Sequence, residues 1–356
     1  MPKAITTARA DSGHVLDWYD RHHRDMPWRI PPDQRRAGVV PDPYRIWLSE
    51  IMLQQTQVAT VISYFLKFTE AWSDVHALAN APDDEVLAAW AGLGYYARAR
   101  NLIKCARVVS RDMGGRFPET EAGLRALPGI GPYTAAAIAA IAYDLPETVL
   151  DGNVERVMAR LHAETDPLPG VKEVLRAHAR RLTPAQRPGD YAQAVMDLGA
   201  TICTPRRPAC VLCPWREACR AHAQGIAETL PAKLPKKVKP VRRGIAWVAM
   251  DAEGAILTHR RPAKGLLGGM LGVPTTEWAE MPATEAPPID GDWHSIGEVR
   301  HTFTHFHLIL DVRLNRAETR PSVPPGHRFQ PLPEAIDQMP TVFAKVCKLI
   351  SGKQSY

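Results

Sequence analysis

The spacing of apolar residues divides the chain into two parts of different texture. From residue 16 to about residue 223, apolar residues recur at intervals of three and four, with Pro and Gly between the runs. This pattern predicts an all-α region. After residue 243, short apolar runs such as 245–250 and 306–312 alternate with Gly, Asp and Pro. They predict strands of a mixed α+β domain, which a helix near residues 342–350 is expected to close.

The two parts are joined by residues 225–243, which hold three prolines and six basic residues and show no helical stripe. This composition predicts a semi-stiff basic linker. A chain of 356 residues is long enough for two domains, each with its own core. We therefore predict a first domain over residues 1–224 and a second over residues 244–356.

Composition narrows the class of protein. The hydrophobic share of 45% and the charged share of 23% are typical of soluble globular proteins, and no apolar run approaches the ~20 residues that span a bilayer. Residues 1–11 contain no apolar core of the signal-peptide type. We predict a cytoplasmic protein without membrane contact. The 44 Lys and Arg exceed the 38 Asp and Glu, which favours a polyanionic partner but also suits proteins that never bind nucleic acid.

Four of the six cysteines lie within residues 203–219, separated by six, two and five residues. A reducing compartment argues against disulfides, so thiolates this close are expected to share a metal centre. Structural zinc usually takes two Cys-x-x-Cys knuckles, whereas only one is present, so the spacing favours a [4Fe-4S] cluster, with zinc as the alternative. The predicted ligands are Cys203, Cys210, Cys213 and Cys219.

The first inter-cysteine loop carries Arg206 and Arg207 between two prolines. If the metal centre folds this loop, the two guanidinium groups are placed to contact DNA phosphates. Solvated surface is the alternative interpretation of the pair.

A Gly-rich turn precedes an Ala-rich helix at residues 127–142. Gly129 and Gly131 permit a tight turn, and Pro132 suits the first position of a helix. The free N–H groups at such a helix start form an anion site that fits a DNA phosphate, with a monovalent cation as a further possible occupant. A Gly-x-Gly turn alone often only connects helices, but the flanking Leu-Pro and Pro-Tyr-Thr strengthen the prediction of a helix-hairpin-helix.

Two carboxylates are candidates for acid–base chemistry. Residues 43–72 are predicted to form one long helix in which Glu50, Gln54 and Gln57 share a face. An apolar setting would raise the pKa of Glu50, so that it could protonate a leaving base. Asp151 lies where a helix should begin and is expected to cap that helix. Held ionised by backbone N–H groups, it could also stabilise a cationic sugar.

Together these motifs resemble the endonuclease III superfamily of DNA glycosylases, in which the hairpin, the following Asp and a Cys-x6-Cys-x2-Cys-x5-Cys loop recur in this order. The similarity is closest to the MutY adenine-DNA glycosylases, on the blocks Met26-Pro27-Trp28-Arg29, 49–58, 92–98, 151–154 and 198–200. The resemblance covers nearly the whole chain, more loosely after residue 220. It implies a monomeric enzyme that binds double-stranded DNA with adenine opposite 8-oxoguanine or guanine. Arg- and Ala-rich composition indicates a bacterium with a GC-rich genome, and the implied DNA repair function adds the expectation of a nucleoid-associated protein.

The resemblance also implies roles for single residues. Glu50 would protonate adenine at N7 and later help to activate water. Asp151 would stabilise the oxocarbenium-like sugar or capture it transiently. Tyr133 and Asn153 would complete the site, and since bifunctional relatives have Lys at the Tyr133 position, a monofunctional glycosylase is expected. The flipped adenine would be lined by Arg24, Trp28, Arg29, Leu53 and Gln193. Gln55, Thr56, Leu93 and Tyr95 would enter the duplex, with core packing as the alternative for the last two.

The second domain resembles the Nudix-like C-terminal domain of the same family. The sequence lacks the acidic Nudix box that holds metal on a diphosphate, so recognition is its expected task. Phe303-Thr304-His305 resembles the Phe-Ser-His element that meets 8-oxoguanine, with Thr in place of Ser. The hydroxyl donor is retained, but the added methyl group stiffens the side chain. The segment 30–42 is longer than in the family and is predicted to be an exposed loop.

Overall fold

The computed structural model describes residues 9–235, 238–262, 265–281, 286–318 and 320–351. The chain divides into two compact units, one of residues 1–89 and 97–235 and the other of residues 90–96 and 236–356. The first unit is helical. Its helices are α1 Ser12–His22, α2 Pro32–Arg36, α3 Pro43–Leu53, α4 Val58–Ala71, α5 Val75–Asn80, α6 Asp83–Ala89, α7 Ala97–Asp112, α8 Glu121–Arg125, α9 Pro132–Tyr143, α10 Gly152–His162, α11 Lys172–Leu182, α12 Pro188–Thr201 and α13 Arg220–Ala223.

Local sequence sets where several of these helices begin. Asp42 accepts a hydrogen bond from the Tyr44 N–H ahead of α3, and Asp74 and Asp151 do the same for α5 and α10. Pro occupies the first turn of α3, α9 and α12, where its missing N–H costs nothing. The segment 30–42, predicted to be a loop, contains the short helix α2.

The prediction of one long helix over residues 43–72 is wrong, because α3 ends at Leu53 and α4 begins at Val58. Gln54 and Gln57 therefore do not share a helix face with Glu50. The buried Arg98 of α7 donates to the Ile51 and Met52 carbonyl groups at 3.2 and 2.8 Å, and to that of Gln54. These bonds satisfy the free carbonyl groups at the end of α3, so a distant side chain ends the helix.

The second unit is built on a six-stranded sheet. Its strands are β1 Val241–Met250, β2 Ala255–Arg260, β3 Leu271–Gly272, β4 His294–Thr302, β5 His307–Arg316 and β6 His327–Pro331. The order is β3-β2-β1-β5-β4, with β6 also paired to β2, and β1 and β5 run parallel in the register Val241↔His307. Two helices follow, α14 Leu332–Gln338 and α15 Thr341–Ser351. Side chains of α15, such as Phe343 and Val346, join the apolar core on the sheet.

The described residues of the predicted linker 225–243 belong to one unit or the other. Residues 225–235 group with the helical unit, where residues 227–229 form a 3-10 turn and Leu230 is buried. β1 already includes residues 241–243. The apolar residues near 226–230 pack with Ala163, Cys219 and Ala221 of the helical unit in a small cluster, which the abundance of Pro and Lys concealed.

No helix in the described part of the chain is long and apolar enough to cross a membrane.

Candidate active site

A cavity of about 780 Å³ opens in the helical unit, and residues of α3, α9, α10 and α12 contribute to its wall. It collects side chains that are far apart in the sequence. Of the predicted site residues, the following line it: Arg24, Trp28, Arg29, Glu50, Leu53, Gln55, Thr56, Gly129, Gly131, Tyr133, Asp151, Asn153 and Gln193. The cavity is thus the meeting point of the predicted catalytic, adenine-binding and hairpin residues.

Glu50 lies on α3 with only 5% of its surface exposed. Burial raises the pKa of this carboxyl to about 7, and the nearby Asp151 also raises it, whereas the Tyr133 hydroxyl and Arg29 lower it. The Tyr133 hydroxyl also lies 3.7 Å from the Met196 sulfur. Among the described residues no hydrogen bond reaches Glu50 Oε2. A substantial fraction of Glu50 therefore carries its proton near neutral pH and can act as a general acid.

We expect the same burial to make the stability of the protein pH-dependent. The folded-state pKa of about 7 exceeds the usual 4.5, so the folded state binds the proton more tightly than the unfolded chain. The free energy of unfolding should therefore fall as pH rises through this window. Relative to Glu50→Gln, the wild type should lose about 2 kcal/mol between about pH 5.5 and about pH 8.5, measured by thermal melting. Identical pH dependence of the two proteins would contradict this expectation.

Asp151 caps α10 as predicted. Its Oδ1 accepts from the backbone N–H groups of Asn153 and Val154 at 2.9 and 2.7 Å, and its Oδ2 accepts from Asn153 Nδ2 at 2.8 Å. The sequence led us to expect that these bonds keep the carboxylate ionised. They do lower its pKa, but burial raises the pKa by more. A partly desolvated carboxylate interacts strongly with any positive charge that develops beside it.

A buried arginine continues this network toward the cysteines. Arg156 Nη2 donates to Asn153 Oδ1 at 2.9 Å and to the Gly199 carbonyl group at 2.7 Å, while its Nε donates to the Cys203 carbonyl group at 2.7 Å. A Cβ atom on Gly199 would come within 2.6 Å of Asn153 Cβ. The glycine therefore lets α12 pack closely on the start of α10, where the network lies.

The predicted adenine-binding residues are held by an acidic residue that the sequence did not reveal. Asp197 is fully buried and forms a two-pronged ion pair with Arg29, at 2.6 and 3.0 Å. Its Oδ2 also accepts from the Arg24 backbone N–H at 3.1 Å. Asp197 lies four residues after Gln193 on α12, so both face the cavity. The spacing of four residues from Gln193 could have identified Asp197 from the sequence. It does so only if Gln193 is already known to face the cavity.

The two hairpin glycines have different roles. Gly129 has a φ of +78°, and a Cβ atom there would lie 2.7 Å from Asn101 Cβ, so the turn requires glycine. Gly131 precedes α9 in an extended conformation that any residue adopts, with open space where a side chain would be. Both glycines were expected to serve the turn, yet Gly131 leaves the helix start accessible to an anion.

The four cysteines lie close enough to influence one another. Burial raises the pKa of Cys213 to about 12, and the other three thiols add to the increase. In the described part of the chain, however, no three Cys, His, Asp or Glu side chains converge as ligands of one metal ion. Two other features indicate that the residues present suit a [4Fe-4S] cluster. They are the four thiols themselves and a buried arginine beside them.

That arginine is Arg160, which is 1% exposed. It donates to Cys203 Sγ at 3.3 Å and to the Thr204 and Pro205 carbonyl groups at 2.7 and 3.1 Å. Among the described residues no carboxylate lies within ion-pair distance of it. A buried charge requires a counter-charge. Thiolates bound to iron would supply it, so the residues present fit an anionic cluster.

The remaining predicted DNA-contacting residues lie outside the residues that line the cavity. Arg206 and Arg207 are exposed, and Arg207 has a φ of +49°. Leu93 is buried, whereas Tyr95 is half exposed at 51% and also has a φ of +49°. The alternative role of core packing therefore suits the burial of Leu93 but not the exposure of Tyr95.

The element 303–305 forms the tip of the β4–β5 hairpin. Thr304 and His305 are exposed, whereas Phe303 packs against the core of the second unit. Tyr95, which groups with this unit, places its hydroxyl 3.5 Å from Thr304 Oγ1. One residue predicted to enter the duplex and one predicted to meet the opposite base therefore lie in contact within this unit.

Two family models match separate parts of the chain. Residues 48–184 match the HhH-GPD superfamily of base excision DNA repair proteins, and residues 245–349 match the NUDIX domain. The first match contains Glu50, the hairpin and Asp151. The second spans the sheet with the tip 303–305.

Comparison with curated proteins and solved structures extends the similarity. The adenine DNA glycosylase of Homo sapiens is 36% identical, with 98% of this chain and 76% of that protein aligned. That of Mycobacterium tuberculosis is 38% identical over 70% of this chain and 78% of that protein. A thermostable thymine-DNA glycosylase structure has a TM-score of 0.52 at 28% identity and covers 60% of this chain and 95% of its own.

Proposed function

The chain belongs to the adenine DNA glycosylases of the HhH-GPD superfamily, and we propose that it excises adenine opposite 8-oxoguanine or guanine by hydrolysis, without cutting the strand. The observation that carries this proposal is the cavity lined by both Glu50, whose pKa is raised to about 7, and Asp151, which caps α10. Trp28, Arg24, Arg29 and Gln193 line the same cavity, and they offer a flat base both stacking and hydrogen-bonding partners.

The chemistry follows from these two groups. Glu50 donates its proton to N7 of the flipped adenine, the C1′–N9 bond breaks, and the bonding electron pair leaves with the base. Positive charge then develops on the sugar, where the carboxylate of Asp151 stabilises it. Water adds to C1′, and Glu50, now ionised, accepts the proton of that water. Asn153 and Arg156 hold Asp151 in place for this step.

Tyr133 supports hydrolysis without strand cleavage, because a phenol cannot form an imine with the sugar. Among the described residues that line the cavity, Lys172 is the one lysine, and it pairs with Glu155 at 2.9 Å. We therefore expect borohydride to trap little covalent enzyme–DNA complex, and Lys172→Met to trap as little. Efficient trapping that persists in Lys172→Met would argue against hydrolysis by water.

We also propose that the cysteines hold a [4Fe-4S] cluster whose task is to fold the loop 203–219. The four thiols support this assignment, as does Arg160, for which the described residues offer no carboxylate partner. Purified protein should contain about four iron and four sulfide per chain, measured by chemical analysis. One zinc per chain and no sulfide would establish the alternative.

We propose that Arg206 and Arg207, which are exposed on this loop, contact DNA phosphates. Changing both to Ala should weaken duplex binding and reduce its salt dependence. If duplex affinity depends on salt concentration as steeply as before, the two arginines are only solvated surface residues. The open space at Gly131 supports a further phosphate contact, with or without a monovalent cation.

The substrate proposal is tested by single-turnover cleavage, after alkali, of duplexes that hold A opposite 8-oxoguanine, A opposite G, or T opposite G. The T·G duplex is included because the thymine-DNA glycosylase shares the first fold. Excision of A from the first two duplexes is expected, fastest opposite 8-oxoguanine. Excision of T alone would overturn the substrate, and binding without excision would indicate a non-catalytic DNA-binding protein.

Monomeric action and association with the nucleoid are part of the proposal. The monomeric state is what the resemblance to the family implies. Sedimentation of the protein with and without duplex would test it, since a stable dimer would contradict it.

A further inference from the structure

The hairpin tip 303–306 is supported by aromatic and cationic side chains from elsewhere in the second unit. Thr302 and His307 pair across the two strands, and the Phe303 N–H donates to the Phe306 carbonyl group at 2.9 Å. The tip is therefore a closed turn. It exposes Thr304 and His305 and directs Phe303 toward the core.

Phe303 is held in a group of rings. Its ring centroid lies 5.8 Å from that of Trp278 at an interplanar angle of 30°, 4.6 Å from His301 and 4.9 Å from Phe306. Lys239 Nζ donates to the Phe303 carbonyl group at 2.9 Å. Phe303 is thus the anchor of the turn, and the two residues after it are the exposed ones that a base can reach.

Trp278 links this anchor to a guanidinium group. The Arg261 Cζ lies 4.9 Å from the centre of the Trp278 ring and 5.9 Å from that of Phe343. Trp278 is buried, and among the described residues no hydrogen bond reaches its Nε1. Its orientation therefore depends on ring stacking and on Arg261 rather than on a hydrogen bond.

We propose that Trp278 and Arg261 are positioning residues for discrimination of the base opposite the adenine. They hold Phe303 and so fix where Thr304 presents its hydroxyl. This inference rests on the proposed function, in which Thr304 and His305 meet 8-oxoguanine. Neither positioning residue touches the base, so their loss changes selectivity without removing a catalytic group.

The second unit contains a matched control. Trp247 is also buried, packs edge-on to Trp293 at 5.0 Å and lies beneath Arg313, whose Cζ is 5.4 Å from the ring. No ring contact with Phe303 is found for Trp247 among the described residues. Trp247→Leu therefore removes a similar aromatic and cationic pairing without disturbing the anchor.

The test compares Trp278→Leu, Arg261→Met and Trp247→Leu in the full chain with its cofactor. Single-turnover excision is measured on duplexes with A opposite 8-oxoguanine and A opposite guanine, and melting temperature is measured alongside. Thr304→Val, which removes the reading hydroxyl, is the positive control. We expect the rate ratio between the two duplexes to fall about tenfold in the first two variants, with A·G excision nearly unchanged. Trp247→Leu should lower the melting temperature but keep the ratio.

The outcomes separate the inference from its premise. A wild type that excises adenine from neither duplex would overturn the proposed function. A wild type that excises it equally from both would overturn this inference together with its premise that Thr304 and His305 meet 8-oxoguanine. A wild type with a preference for 8-oxoguanine, and an unchanged ratio in folded Trp278→Leu and Arg261→Met, would overturn the inference alone. If Trp278→Leu does not fold, Arg261→Met decides, because Arg261 is only partly buried.

Discussion

Glu50→Gln is expected to slow single-turnover excision of adenine about a thousandfold while leaving duplex affinity nearly unchanged. Gln has the shape of protonated Glu but cannot transfer a proton to the base. The excision rate depends on pH because Glu50 must be protonated to act as the acid, and its pKa is about 7. The wild-type rate should therefore fall as pH rises above about 7, and the residual rate of the variant should lack this fall.

A neighbouring carboxylate provides the control for this variant. Glu155 lines the same cavity but is paired with Lys172. Glu155→Gln should therefore retain activity within about tenfold, as a side chain outside the proton transfer does. A rate for Glu50→Gln close to that of Glu155→Gln would remove Glu50 from the role of acid.

Asp151→Ser and Asp151→Ala are both expected to lower excision by about 10²–10³-fold, because each removes the negative charge beside the developing sugar cation. They should differ in stability. Ser can still accept the hydrogen bonds that cap α10, whereas Ala loses the cap and should cost about 1 kcal/mol. Rates come from single-turnover kinetics and stabilities from thermal or urea unfolding.

The comparison distinguishes the two roles of Asp151. If the carboxylate is catalytic, both variants lose activity although only Ala loses the cap. Retained activity in Asp151→Ser, with loss in Asp151→Ala, would mean that Asp151 acts only by capping the helix that carries Asn153. The hydrogen bonds from Asn153 and Val154 make this alternative worth testing.

Some features were available to local reasoning. The fold classes of both domains are confirmed by the two family matches, because apolar periodicity depends only on neighbours along the chain. The α10 cap and the turn at Gly129 were predicted for the same reason. The roles of Glu50 and of the adenine-binding residues came from resemblance, since a single Glu in a helix carries no local sign of catalysis.

What the sequence determined by itself was the identity and order of the chemical groups: the four clustered cysteines, the hairpin, and the two carboxylates before and after it. Tertiary structure alone decided the rest. Arg98 ends α3 from another helix, and burial raises the pKa of both Glu50 and Asp151. Asp197 joins Arg29 across 168 residues of chain. Hydrogen bonds and desolvation act through space, so their partners are set by packing and not by position along the chain.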